Sequence, residues 1–380
     1  MKQNEIFGLG SLNKIGRLIR RLHARRIFLV TGSGSYQSSG AKKILEEELK
    51  NCQLTAFSDF ETNPKLKDIK KGISIFKKAK PNVVIAVGGG SVIDVAKAIN
   101  ALATNKSDPA DYITGKEKIT KPGKPLIAIP TTSGSGSEAT HFAVVYIGKT
   151  KYSLAHEYIL PNYALIDPQL TLTLPPQITA SSGLDALGQA IEAYWSVNST
   201  PVSKRYSSAA LKIILPNLVK AVRAPTSRSR MAMSQASHLA GKAINLAKTT
   251  ACHAISYPIT AYFGVPHGHA VGLTLSSLLK YNAGISQNDT LDKRGVVYVK
   301  KAIKDLAKLI VGKNDVAEAA TTIDGILTGV GLETRLSRLN IKTDQDIELI
   351  IKNGFNPDRV KNNPRLLTKE ALRKILVNLV

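Results

Sequence analysis

The sequence predicts an α/β N-terminal domain built on a parallel sheet, followed by an all-helical C-terminal domain. Three observations carry this reading. Short β-rich runs alternate with helix-period segments through the first half, the pattern of a parallel sheet covered on both faces. After the Pro175–Pro176 pair, strand-like runs become rare and long helix-period stretches take over. A chain of 380 residues, 43% of them hydrophobic, can bury a sizeable core and divide into two domains.

In chain order, residues 26–31 (RIFLVT) form the first clear strand pattern. Residues 41–50 and 67–78 place apolar residues at helical spacing between lysines, as amphipathic helices do. Residues 82–87 are a second β-rich run, followed by three glycines and a helical pattern over 92–102. Residues 115–124, rich in Lys and Gly, read as a surface loop, and 125–129 as a third strand. Helical periodicity then dominates 203–222 and 231–247. The boundary is expected near residue 178, giving domains 1–178 and 179–380, with the active site in the cleft between them.

The net charge is +24, from 52 Lys and Arg against 28 Asp and Glu. Such an excess favours acidic partners, nucleic acid included. The lysines, however, are scattered over solvated helix faces, and no zinc knuckle, helix-turn-helix or RNP-like aromatic motif accompanies them, so no nucleic-acid partner is expected. The start Met-Lys-Gln-Asn-Glu is polar, and no apolar run reaches the length of a membrane span. A cytoplasmic protein without a membrane partner is the expectation. Two distant cysteines, Cys52 and Cys252, argue against a disulfide framework.

Two segments carry chemistry. Gly88-Gly89-Gly90-Ser91 lies between a strand pattern and a helical one. There glycines let backbone approach a phosphate, and the helix start offers amide donors and a favourable dipole. Asp94 and Lys97 follow in the first turns of that helix. Further on, Asp185 and Gln189 are four apart and project from one helical face. His253 and His267 add imidazoles, and this mixture suits a divalent first-row metal better than calcium or magnesium. Spacing alone leaves open an Asp that caps a helix and histidines paired by chance.

Taken together, GGGSVIDVAK (88–97), PTTSGSGSE (130–138), GLDALGQAIEAY (183–194) and the run from His253 to His269 resemble the iron-containing (group III) alcohol dehydrogenases. The likeness runs from FGLGS (7–11) to NPDRVKNNP (356–364), essentially the whole chain. It implies the architecture shared with dehydroquinate synthase, with a dinucleotide-binding first domain and a metal and substrate second domain. It implies cofactor contacts from Gly88, Gly89, Gly90, Ser91, Asp94, Thr131, Thr132 and Ser135. The family's Asp and three His fall on Asp185, Gln189, His253 and His267, so one histidine has become glutamine. A further family histidine assigned to proton relay is Tyr257 here.

The resemblance implies a divalent metal, Fe²⁺ first, with Zn²⁺ or a lost metal as alternatives. It also implies a nicotinamide cofactor. NAD-preferring members often carry Asp where this chain has Gly32, and its absence favours NADPH over NADH without excluding either. Lys248, five residues before His253 in Lys-Thr-Thr-Ala-Cys-His, stands where the family commonly has Gly. A cation and two hydroxyls there suit a phosphate or phosphonate group. His269 is either a second imidazole at the pocket rim or a replacement proton donor, or else a core histidine. With Gln189, Ser-Tyr-Pro at 256–258 and Lys-Thr-Thr at 248–250, the chain is similar to the phosphonoacetaldehyde reductases. The implied reaction is NAD(P)H-dependent reduction of a small anionic aldehyde, phosphonoacetaldehyde to 2-hydroxyethylphosphonate. The alternatives are an alcohol dehydrogenase for an uncharged alcohol or diol and a dehydroquinate synthase-type lyase. A homo-oligomer is expected because family members are often dimers or larger.

Overall fold

The computed structural model describes residues 3–355 and 360–380, so the last family segment quoted above lies partly outside the described residues. The chain divides into two compact units, Met1–Leu174 and Pro175–Val380. The break falls at the Pro175–Pro176 pair. Proline tolerates the first helical position because its missing N–H has no partner there anyway, and it starts the first helix of the second unit.

The first unit runs β1 (Asn4–Phe7), α1 (Ile15–Arg21), β2 (Arg26–Thr31), α2 (Ser35–Ser38), α3 (Ala41–Glu48), β3 (Gln53–Phe57), α4 (Leu66–Ala79), β4 (Val83–Gly88), α5 (Gly90–Leu102), α6 (Pro109–Thr114), β5 (Leu126–Pro130), β6 (Phe142–Ile147), β7 (Thr150–Ala155) and β8 (Tyr163–Ile166). Six strands form one sheet in the order β1-β8-β5-β4-β2-β3, with every pairing parallel. β6 and β7 form a separate antiparallel hairpin. Central β4 is buried at all six residues, which is why it reads as an unbroken apolar run. In β2, Phe28 and Val30 face one core with Ile69, Phe76 and Ile93, whereas Ile27 and Leu29 face the other with Leu18 and Leu45. From β2 the chain steps outward to β3 and returns to β4 on the other side of β2. The carboxyl ends of β2 and β4 therefore flank a topological switch point, where ligands bind in open α/β sheets.

The second unit is helical: α7 (Pro176–Trp195), α8 (Pro201–Arg223), α9 (Ser227–Ala247), α10 (Ala251–Phe263), α11 (His267–Ala283), α12 (Val296–Val311), α13 (Val316–Gly329), α14 (Asp344–Gly354) and a last helix Lys369–Val377. Capping boxes start α8 (Thr200 with Ser203) and α9 (Thr226 with Ser229). α7 is the hub, packed by α8, α9 and α11 and buried from Gly183 through Trp195. Among the described residues, no helix is long and apolar enough to cross a membrane.

Candidate metal and cofactor sites

A fully buried helix is expected to be apolar all round. α7 breaks that rule along one stripe, Asp185, Gln189 and Glu192, at spacings of four and three on a single face. His253 in the first turn of α10 and His267 at the start of α11 meet this stripe. One ligand atom each from Asp185, His253 and His267 lies within 4.8 Å of the others. His253 Nε2 is 3.2 Å from Asp185 Oδ1. The two imidazole rings stand edge to face, with centroids 5.5 Å apart. One carboxylate and two imidazoles on rigid helices fit a catalytic first-row metal, which needs only three protein ligands and an open position. Gln189 hydrogen-bonds the Asp185 side chain, a place beside the ligands.

Three residues given no role in the sequence reading, Glu192, Ser256 and Gly268, complete this site. Glu192, fully buried, contacts His253 Nδ1 through Oε2. Its Oε1 accepts the Thr250 hydroxyl at 2.6 Å and the Cys252 N–H at 2.8 Å, and Trp195 Nε1 donates to Thr250 at 2.9 Å. Ser256 donates to the His253 carbonyl at 2.8 Å and lies 3.1 Å from His267 Nδ1. Gly268 lets α11 touch α7: a Cβ there would collide with the Ser181 carbonyl oxygen and with Asp185 Cβ and N. The clue to Glu192 was its position seven residues after Asp185, one further step along the same face. Burial opposes charge on His253, but the Glu192 charge and the hydrogen bonds His253 donates to both carboxylates outweigh it and raise its pKa to about 9. Burial pushes the Asp185 and Glu192 carboxyls up, yet their contacts with the histidines hold both below the usual range. A divalent cation held by Asp185, His253 and His267 would take the place of the proton between His253 and Asp185.

The structure distributes the other predicted residues unevenly. Half-buried Tyr257 stacks on His267 at 5.8 Å between ring centroids, so it borders the triad. His269 does not. Two residues from His267 on a helix, it points to the other side, where its Nε2 bonds the Glu333 carbonyl at 2.7 Å, and burial lowers its pKa. Of its two readings, the core histidine is the one the geometry favours. Lys248 is exposed, and it holds φ 61°, ψ 169° as the C-cap of α9, a region other residues leave to glycine. The Thr250 hydroxyl is engaged by Glu192 and Trp195, so it is not a substrate donor.

In the first unit, the turn 88–91 joins β4 to α5 at the switch point. A Cβ on Gly88 would collide with Val92, and one on Gly90 would lie 2.7 Å from Ser135 Oγ. Thr131 N–H bonds the Gly88 carbonyl at 3.0 Å, which sets the loop 131–137 beside the turn. The Thr131 hydroxyl oxygen is buried and has no hydrogen-bond partner among the described residues, as expected of a group that meets a ligand. Asp94 turns its carboxylate toward the protein. Its Oδ1 accepts Ser137 Oγ at 2.5 Å and its Oδ2 the Val144 N–H at 3.0 Å, so it braces the loop and the hairpin. Lys97 joins that brace with bonds to Ser137, Thr140 and the Phe142 carbonyl at 3.0, 3.0 and 2.9 Å. No carboxylate lies in the turn Gly32-Ser-Gly-Ser35 after β2.

Comparison with known proteins agrees over the whole length. The family model described as iron-containing alcohol dehydrogenase matches residues 3–168, and that of the C-terminal domain of the Fe-containing alcohol dehydrogenase family matches 179–380. A phosphonoacetaldehyde reductase of Streptomyces viridochromogenes is 36% identical over 306 residues, 78% of this chain and 76% of that protein. The long-chain-alcohol dehydrogenase 1 of Geobacillus thermodenitrificans is 35% identical over 280 residues, 72% and 70% of the two chains. The crystal structure of sulfoacetaldehyde reductase from Bifidobacterium kashiwanohense in complex with NAD⁺ superposes with a TM-score of 0.88 at 31% identity, covering 99% of this chain and 96% of the other.

Proposed function

The chain belongs to the iron-containing alcohol dehydrogenase family, and we propose that within it the protein reduces a small anionic aldehyde, phosphonoacetaldehyde first, to its alcohol. It is an NAD(P)-dependent enzyme with a divalent metal. The observation that carries the substrate reading is that two relatives, one by sequence and one by structure, are named for two-carbon aldehydes bearing an anionic group. Lys248, an exposed cation five residues before His253, supports it. The long-chain-alcohol dehydrogenase relative favours the second reading, an uncharged alcohol.

In the proposed reaction, hydride passes from nicotinamide C4 to the carbonyl carbon, and the carbonyl oxygen takes a proton, so aldehyde, NAD(P)H and H⁺ give alcohol and NAD(P)⁺. A bound metal supplies Lewis-acid polarisation of the carbonyl. The turn 88–91 binds the pyrophosphate, with Thr131, Thr132 and Ser135 along the loop, and the brace of Asp94 and Lys97 keeps that loop in place. Tyr257, stacked on His267, presents a hydroxyl for proton delivery. Lys248 holds the anionic group of the substrate.

The test is NADPH and NADH oxidation by the purified protein against phosphonoacetaldehyde, sulfoacetaldehyde, glycolaldehyde and butyraldehyde. It is run before and after chelation, with add-back of Fe²⁺, Zn²⁺, Mn²⁺ or Ni²⁺. The expected result is the highest kcat/KM on an anionic aldehyde, lost on chelation and restored by one metal. Highest activity on butyraldehyde overturns the substrate assignment. Full activity in protein shown by elemental analysis to be metal-free overturns the metal's role.

A further inference from the structure

We infer that Glu192 and Ser256 are positioning residues that fix both ligand histidines as Nδ1–H tautomers, so that each presents Nε2 to the metal. The inference rests on the metal-dependent reading above and goes beyond it by naming what makes three ligands sufficient beside Gln189.

Two donors around Glu192 cannot reverse. The Cys252 backbone N–H is always a donor and points at Glu192 Oε1, 2.8 Å away. Thr250 donates to the same oxygen at 2.6 Å while accepting the Trp195 indole N–H at 2.9 Å, another donor that cannot reverse. Glu192 is thereby locked with Oε2 against His253 Nδ1. A carboxylate only accepts, so Nδ1 keeps its proton, and the proton that Nε2 shares with Asp185 is the one that gives way to a cation. For His267 the logic passes through a hydroxyl. Ser256 has one proton and gives it to the His253 carbonyl at 2.8 Å. At His267 Nδ1, 3.1 Å away, Ser256 must therefore accept, which puts a proton on that nitrogen too. Both chains end on fixed backbone groups of α10. One short segment sets both tautomers.

Glu192→Gln is nearly isosteric and reverses the first chain. The Cys252 N–H still demands an acceptor, so the new amide turns its oxygen to Cys252 and its NH₂ to His253 Nδ1. That nitrogen must then accept, and the proton moves to Nε2, where it blocks the metal. Loss of such an outer-shell partner weakens metal binding roughly 10- to 100-fold.

The experiment measures Zn²⁺ affinity of the full-length protein by competition with a chromophoric chelator, alongside thermal unfolding of the metal-free form. Long-range ¹H–¹⁵N spectra of the Zn²⁺-loaded protein report which imidazole nitrogen is bound. The expected result is Nε2 coordination for both histidines in wild type. Glu192→Gln should bind Zn²⁺ roughly 10- to 100-fold more weakly at an apo melting temperature close to wild type. Ser256→Ala should also weaken binding, and Ser256→Thr, which keeps the hydroxyl, should restore it; this pair carries the test if Glu192→Gln fails to fold. Coordination through Nδ1, or Zn²⁺ binding by both Glu192→Gln and Ser256→Ala within about threefold of wild type, overturns the inference alone. A wild-type protein that takes up no Zn²⁺ at these residues overturns the metal reading and the inference with it.

Discussion

Gly268→Ala sets two effects of known size against each other. At an unobstructed helical position, alanine gains up to about 1 kcal/mol over glycine. At Gly268 the added Cβ collides with the Ser181 carbonyl oxygen and lies 2.9 Å from both Asp185 Cβ and Asp185 N. These are backbone and near-backbone atoms that no side-chain rotation can clear, so α11 has to shift away from α7 by on the order of 1 Å to regain ordinary contact. Overpacking of this kind costs roughly 1 to 3 kcal/mol, which cancels the propensity gain and leaves a net loss near 1 kcal/mol, or about 2 to 4 °C in Tm for a unit of this size. The same shift drags His267 from Asp185, and a misplacement of about 1 Å at a catalytic constellation lowers kcat/KM by roughly 10²-fold. Gly325→Ala supplies the control, since Gly325 lies in α13 with nothing within 4 Å of a new Cβ. That variant should gain stability and keep full activity. Scanning calorimetry, metal content and steady-state kinetics on both variants decide the matter. A Gly268→Ala protein as stable and as well metallated as Gly325→Ala would refute the reasoning.

Other consequences are equally direct. In Gly89→Val the Cβ starts 3.4 Å from Thr132, and its two methyls occupy the pyrophosphate's approach; nicotinamide cofactor affinity should fall at least about tenfold by fluorescence titration, and an unchanged Kd sinks the assignment. Lys248→Ala should lower kcat/KM about ten- to a hundredfold for the anionic aldehyde and leave butyraldehyde nearly unaffected, because a charge-assisted hydrogen bond is worth roughly 1.5 to 3 kcal/mol. Lys248→Gly should lose the same selectivity yet gain stability, since φ 61° suits glycine; equal losses on both substrates argue against the anion contact. For Lys97, burial outweighs the attraction of Asp94 and Glu138 and lowers the pKa from 10.5 to about 8. Between those values the unfolded chain holds more protons, so this group's contribution rises with pH from 8 to 10.5, by at most roughly 3 kcal/mol. The urea-unfolding difference, wild type minus Lys97→Met, should therefore increase from pH 7 to pH 10, and a flat difference contradicts it.

The sequence made the doubly covered sheet legible because β2, β4 and β5 are buried apolar runs set between helical periods. It hid β1 and β3, which lie at the sheet edges with mostly exposed residues and so lack that signature. The triad was legible through spacing and resemblance. Glu192 was not, because a glutamate on a helix ordinarily faces water, and only the burial of α7 on all sides turns it inward. The bracing role of Asp94 was hidden for the opposite reason: its place after the glycine turn is local, but its hydrogen bond to Val144 reaches fifty residues along the chain, which no local pattern reveals.

The buried stripe on α7 also shows why Gln189 need not disable the site. A buried polar group must be paired or it destabilises the fold, and a buried carboxylate is held ionised only by cations or donors. Asp185 and Glu192 meet that demand through His253 between them, and Gln189 adds a hydrogen bond to Asp185. An imidazole at position 189 would contribute a fourth metal donor, whereas the amide there hydrogen-bonds the Asp185 carboxylate. The lost ligand lowers the intrinsic affinity for metal, because an amide oxygen is a poorer donor than imidazole to first-row ions. The held geometry of the remaining three offsets part of that loss, since fewer side chains must be ordered when the ion arrives. Substituting Gln189 by His should then raise metal affinity, while Gln189→Leu, which removes the hydrogen bond to Asp185, should lower it below wild type; a Leu variant with undiminished affinity would mean that the amide does nothing for the carboxylate it touches.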